Sequence, residues 1–340
     1  MDMINQQIDK NESSGSIASS AKFKALLKNN GALVALIVLL IINAIFTPHF
    51  FAMQTFYINM TQVAPIAIVA IGMCLVIASG NGGIDISVGS VLALAGALAP
   101  MVFMSEFGLN NPGIAIALAI VLPLLVATSC GLFNGFLVGH YRIQPMIATL
   151  ILFISGRGIA QLLTNGDIQT FNNDFFQYLG TGRLFGIPIQ AVILIIIALF
   201  VSWIIKTSKF GRYLLAVGGN DKAAFLCGLP TFKVKLIAYG FCGFCAGMAG
   251  LFTTAMNSAS DANTAGLLME LDGISAAVVG GTVMMGGKAP VIGAVIGALV
   301  IQMMTYTLLA NGISDSAAMI AKAAIIIGAI YLQLKNKQKH

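Results

Sequence analysis

Asp85 is the residue in this chain whose type and setting most invite chemistry. It is a carboxylate in the run Ser79-Gly80-Asn81-Gly82-Gly83-Ile84-Asp85-Ile86-Ser87-Val88-Gly89-Ser90, between two apolar stretches. A charged aspartate at the centre of a bilayer costs about 2.5–3.5 kcal/mol unless it finds a partner. Two readings follow: Asp85 lines a solute's path, or it caps the N-terminus of the helix that Ser87 and Ser90 open. Arg157 and Gln161 lie one helical turn apart with Thr164 three residues on, a polar stripe that serves either a solute or a neighbouring helix. With Asn134, these give Asp85, Ser87, Ser90, Arg157 and Gln161 as the residues expected along a path.

Other chemistry is harder to build from this sequence. Cys242 and Cys245 make a CxxC, but it stands in an apolar, glycine-studded run without His nearby, so small-residue packing is the expectation. The three histidines are not paired at metal-ligand spacing, and no G-x-S-x-G occurs. The nearest approach to a phosphate loop, Thr282 to Ala289, has Thr in place of the first Gly and Ala after Lys288. No catalytic residue, metal or cofactor is therefore expected, and ATP is not bound by this chain itself.

Those residues need elements to hold them, and composition says which. Of the 340 residues, 58% are hydrophobic and 9% charged, and the mean hydropathy is +0.92. So little polar surface cannot cover a soluble fold, and the unbroken apolar runs favour helices over barrel strands. The expected fold is an all-α polytopic membrane protein of about ten spans, near 31–47, 60–79, 86–104, 114–138, 146–164, 188–205, 236–256, 272–286, 290–310 and 317–334, the short eighth span being open to a re-entrant reading. A polar tail over 1–29 reads as disordered, a transmembrane domain fills 30–334, and 335–340 is a second polar tail.

Charge sets the orientation. With the N-terminus inside, every Lys and Arg outside the spans except Arg183 falls on the inner side, while Arg157 and Lys322 fall within spans. Both termini are then cytoplasmic in the inner membrane, and the net charge of +6 needs no nucleic acid to explain it. Glycines point to close helix contacts: Gly131, Gly135 and Gly139, then Gly243 and Gly247, then Gly293 and Gly297, within one subunit or between two copies. A second glycine-rich break, Val279 to Pro290, repeats the spacing of the first, with Gly287 and Gly293 matching Gly83 and Gly89. Broken helices are tolerated at membrane depth where they line a cavity, and they mark transport pathways.

The polar island 206–235 holds six of the 18 basic residues. Asn220 is a good N-cap with Asp221 in the first turn, and Gly228 with Pro230 stops the helix. A short helix exposing Phe225 and Leu226 off the bilayer suits a partner's groove better than water. Glu270 and Asp272 flank the outer start of the eighth span, either stabilising a helix N-terminus or meeting an external partner.

Three motifs in order, Gly82 to Ser90, Gly211 to Gly228, and Glu270-Leu271-Asp272 followed by Gly280-Gly281, resemble the membrane permeases of bacterial ATP-binding-cassette sugar importers of the ribose and galactose type. The resemblance runs from about residue 31 to the C-terminus. Ile143 to Leu150, Gly156-Arg157-Gly158 and Asp261 to Leu267 look closest to the galactofuranose-type permeases. The resemblance implies two permease subunits, two cytoplasmic ATPase subunits that bind ATP, and a periplasmic sugar-binding protein that Glu270 and Asp272 would meet. In that picture Gly219, Asn220, Ala223, Ala224, Phe225 and Gly228 dock into the ATPase groove. Two departures stand out: Gly80-Asn81 looks like a two-residue insertion, and Phe225 stands where relatives often carry a basic residue. A branched-chain amino acid permease on a related scaffold, or an ion-coupled carrier, are the alternatives.

Overall fold

The computed structural model of the chain describes residues 31–314, 316–320, 323–324 and 327. The two expected tails, Lys322 and most of the last expected span lie outside the described residues. Helices α1 (Gly31–Phe46), α2 (Met53–Ala78), α3 (Val88–Met104), α4 (Glu106–Asn110), α5 (Pro112–Gly139) and α6 (Pro145–Thr164) come first. There follow α7 (Asp174–Thr181), α8 (Ile189–Thr207), α9 (Lys209–Gly219), α10 (Asp221–Leu226), α11 (Thr231–Asn257), α12 (Met269–Val279) and α13 (Val291–Ala310). Two short antiparallel ribbons complete the described fold: β1 (Gln169–Thr170) with β4 (Ala259–Ser260), and β2 (Arg183–Leu184) with β3 (Ile187–Pro188).

Six of these helices, α2, α5, α6, α8, α11 and α13, are long and apolar enough to cross a membrane, and α1 and α3 are shorter apolar helices. The protein is an all-α polytopic membrane protein. Its axis is α2, whose residues from Val63 to Ala78 are all buried. A helix apolar on every side belongs in the centre of a bundle, and α11, α12 and α13 pack around this one.

Close packing is arranged by the glycines, and it lies within the subunit. A Cβ on Gly131 or Gly243 would strike the backbone of the facing helix, so α5 and α11 cross at Gly131, Gly135 and Gly243. Gly297 meets Ala276 in the same way, joining α13 to α12. Cys242 and Cys245 press against Gly72, whose Cβ would stand 2.9 Å from Cys242 Cα; they are buried free thiols.

The eighth expected span is shorter than its sequence suggested. Gly280 caps α12 and Gly281 takes φ +95°, so the helix stops after 11 residues. At 1.5 Å per residue it is about 16 Å long, half of a hydrocarbon core of about 30 Å. The apolar run over 272–286 hid this, because Val283, Met284 and Met285 are hydrophobic but not helical.

Candidate functional site: a lever joined to two helix breaks

The polar island folds as two helices. Ser208 caps the first, its Oγ accepting from Gly211 N at 3.1 Å, and Leu214 and Val217 turn its apolar side inward. Asn220 interrupts the chain in an extended conformation and caps the second, Oδ1 accepting from Ala223 N at 3.0 Å. Gly228 at φ +77° ends α10, and Leu229 N closes the turn on Ala224 O at 3.0 Å. The cap and stop read from the sequence are in place. Helix α9 was missed, although the Ser208 cap and the spacing of Phe210, Leu214 and Val217 were available to find it. Phe225 and Leu226 are 56% and 85% exposed, Ala223 is exposed, and Ala224 faces inward.

Where α9 ends, it touches both breaks at once. Gly80, at φ +84°, has no room for a side chain, since a Cβ there would stand 2.8 Å from Gly218 Cα. A Cβ on Gly218 would collide with the Ala78 carbonyl and come within 2.6 Å of Gly287 N. A Cβ on Gly286, at φ +91°, would stand 2.6 Å from both Gly218 O and Gly80 Cα. The Gly287 amide then donates to Ala78 O at 3.1 Å. Three backbone segments far apart in sequence thus meet with nothing but glycine between them, and a shift of one must move the others.

Side chains tie α10 to the same place. Asn81 Nδ2 donates to Asp221 Oδ2 at 2.9 Å, and Lys235 Nζ, from the first turns of α11, reaches the same oxygen at 2.9 Å. The Lys235 side chain is 5% exposed and that of Asp221 20%. Arg142 lies over the Phe225 ring, 5.1 Å from its centroid. Both departures noted in the sequence, Asn81 and Phe225, therefore contact neighbours at this lever.

Asp85 sits deeper, 1% exposed, in the first break. Its Oδ1 accepts from Ser87 N at 3.0 Å, from Ser87 Oγ at 2.6 Å and from Asn134 Nδ2 at 3.3 Å, and Asn134 Nδ2 also donates to Ser87 Oγ at 2.9 Å. Asp85 thus braces the chain as it enters α3 and fastens that entry to α5. Ser90 Oγ donates to Phe153 O at 2.5 Å, and Thr149 Oγ1 accepts from Ile86 N at 3.2 Å, fastening it to α6. The structure brings Asp85, Ser87 and Asn134 together inside one subunit. Ser90 is buried beside α6.

Arg157 and Gln161 form a separate group. Arg157 Nη1 donates to Ala262 O at 2.9 Å and Asn263 O at 3.2 Å, and Nη2 to Ala265 O at 3.0 Å. Gln161 Nε2 donates to Asn263 Oδ1 at 2.9 Å. Non-helical backbone between β4 and α12 needs partners for its carbonyls, and one guanidinium supplies three bonds. At the loop's start Asp261 accepts from Thr264 Oγ1 at 2.6 Å and Asn263 N at 2.9 Å, and the Thr264 bond, ahead of the Asn263 bonds, holds its carboxyl below the usual range. The loop ends against α3, Gly266 lying on Gly89, and Glu270 sits beside Gly89 in the first turn of α12, 7% exposed; Asp272 is half-buried. Replacing Arg157 with Met leaves three carbonyls without their donor, and hydrogen bonds to charged groups are worth about 1.5–3 kcal/mol each. The expected result is a loop opened to protease between 261 and 268 and a drop in folded yield in detergent; a digestion pattern identical to that of the unaltered protein would contradict the clamp.

These features define a class: a polytopic permease whose broken core helices are joined to a polar helical lever at one end of the bundle. The chain belongs to the family described as "Branched-chain amino acid transport system / permease component", which matches residues 56–330. It is 36% identical over 312 residues to the galactofuranose transporter permease protein of Escherichia coli, covering 88% of each chain. It is 37% identical over 318 residues to the ribose import permease protein of the same species, covering 92% of this chain and 96% of the relative. It is also 34% identical over 320 residues to the fructose import permease protein of Bifidobacterium longum, covering 89% and 87%. No solved structure matches.

Proposed function

We propose that this chain forms the path for a monosaccharide of the ribose, galactose or galactofuranose kind through the inner membrane, with both termini and α9–α10 in the cytoplasm. A second permease subunit completes the path, a periplasmic sugar-binding protein delivers the solute, and cytoplasmic ATPase subunits bind and hydrolyse the ATP. The observation that carries this reading is the contact of one exposed, capped helix pair with both helix breaks through Gly218. An ATPase that grips α10 at Ala223, Phe225 and Gly228, beside Gly219 and Asn220, moves Gly218, and the breaks follow. Coupling of this kind requires the partner to favour one arrangement of the lever over the other. Asp85, Ser87, Ser90 and Asn134 then hold the moving break to α5 and α6, while Arg157 and Gln161 hold the loop above α12. The binding protein docks at the opposite end of the bundle, near α7 and the two ribbons. Of the acids expected to meet it, Asp272 is half-buried and Glu270 is buried beside Gly89.

Ala223→Glu tests the reading by placing a charge on the docking surface of a helix that tolerates it. The expected outcome is loss of sugar uptake and of co-purifying ATPase, with the permease still in the membrane. Undiminished uptake would contradict the assigned contact. The family's description favours a second substrate class, and competition with leucine against ribose and galactose in the same assay separates the two.

A further inference from the structure

At the end of the bundle away from the lever, the first third of α2 carries an exposed polar stripe. Gln54, Thr61 and Gln62 share one helical face with Ile58, and both glutamines are exposed. The rest of α2 is buried and apolar, and α8 shows the usual lipid-facing surface, with Ile195, Ile196, Leu199 and Phe200 exposed. Gln62 is nine residues from the start of α2, so it stands about 14 Å along the helix axis. A carboxamide facing hydrocarbon is costly, and polar groups on apolar helices turn instead to protein or to water.

The stripe is one wall of a concavity of about 220 Å³. Thr181 at the end of α7 and Arg183 in β2 form the facing wall, and Arg183 lies 3.8 Å from the Tyr57 ring centroid. Gln302 on α13 donates to Gln62 Oε1 at 2.7 Å, which fixes that oxygen and leaves the Gln62 Nε2 donors unused among the described residues. The wall therefore offers carboxamides, hydroxyls and a guanidinium, with no carboxylate among the lining residues. Carboxamides both donate and accept, which suits adjacent hydroxyls on a neutral polyol, and the cationic group disfavours a metal ion or an organic cation.

We propose that this cavity is the wet entrance of the path and that Gln54, Gln62 and Arg183 hold a neutral monosaccharide there briefly on its way inward. The proposal rests on the transport reading given above. It places solute contact on exposed residues that sequence patterning passed over, because Gln54 and Gln62 sit inside or beside an apolar run. It also leaves the buried Asp85 group as bracing.

The test uses the assembled transporter, permease with ATPase and binding protein, in proteoliposomes with labelled sugar. Gln62→Leu keeps the size and removes the carboxamide, and the expected result is a KM for uptake raised about tenfold, one hydrogen bond's worth, with the ATPase still bound. In parallel, Gln62→Cys should react from the outer side with a membrane-impermeant thiol reagent, and sugar-loaded binding protein should slow that reaction. Wild-type KM in the leucine variant, a cysteine that no reagent reaches, or a cysteine that instead forms a disulfide between two permease copies would each overturn the entrance site. If the unaltered complex moves no sugar, the transport reading fails, and the thiol reaction still reports whether the cavity is open to water.

Discussion

Gly218→Val is expected to abolish uptake while the ATPase subunits stay attached. The new side chain must enter a space where even a Cβ meets the Ala78 carbonyl and lies 2.6 Å from Gly287 N. Overpacking of a close contact costs about 1–3 kcal/mol, and here it falls on backbone that cannot turn away as a side chain could. The junction would spread by displacing Gly80 or Gly286, both held in left-handed conformations that suit glycine. Since α10 lies beyond Asn220, the docking surface proposed for it is untouched. The expected signature is hydrolysis of ATP without transport, with uptake down at least about tenfold for each 1.4 kcal/mol of mismatch. Gly158→Ala on α6, where a Cβ meets nothing within 4 Å, serves as the control and should transport normally. Normal uptake by the Gly218 variant would mean that the lever and the breaks are not mechanically joined.

Removing one partner of the Asp221–Lys235 pair should cost more than removing both. Asp221→Ala leaves the Lys235 ammonium, 5% exposed, without its counter-charge. Breaking a buried pair in this way costs about 3–5 kcal/mol, and the 20% exposure of Asp221 places the effect at the lower end. Asp221→Ala combined with Lys235→Met removes the stranded charge and should recover most of the lost thermal stability of the purified complex. Transport should recover less, because Asn81 then has no anchor and the first break is released from α10. Equal stability of the single and double variants would show that no buried charge is stranded when Asp221 is removed.

The features legible in sequence are local. Asn220 with Gly228 announced a capped helix because both signals act within one or two turns, and glycine clusters announced both breaks for the same reason. The acid at position 85 was read as either a cap or a path residue, and its bonds to Ser87 and Asn134 fit the bracing role, a distinction that depends on what α5 brings beside it. Partners distant in sequence were not legible. Nothing in the run around Arg157 says that three carbonyls of residues 262–265 need a donor, and nothing near Lys235 names Asp221. The length of α12 was hidden for a different reason: hydropathy averages over residues and does not register the left-handed turn at Gly281 that ends the helix. The exposed glutamines of α2 were invisible to the same averaging.

Uptake of labelled ribose or galactose into proteoliposomes, with permease, ATPase and binding protein supplied together and then omitted one at a time, tests the central claim most directly. Accumulation should require all three components and ATP, and should vanish when any one is left out. Accumulation of a solute by vesicles holding this chain alone would contradict the account.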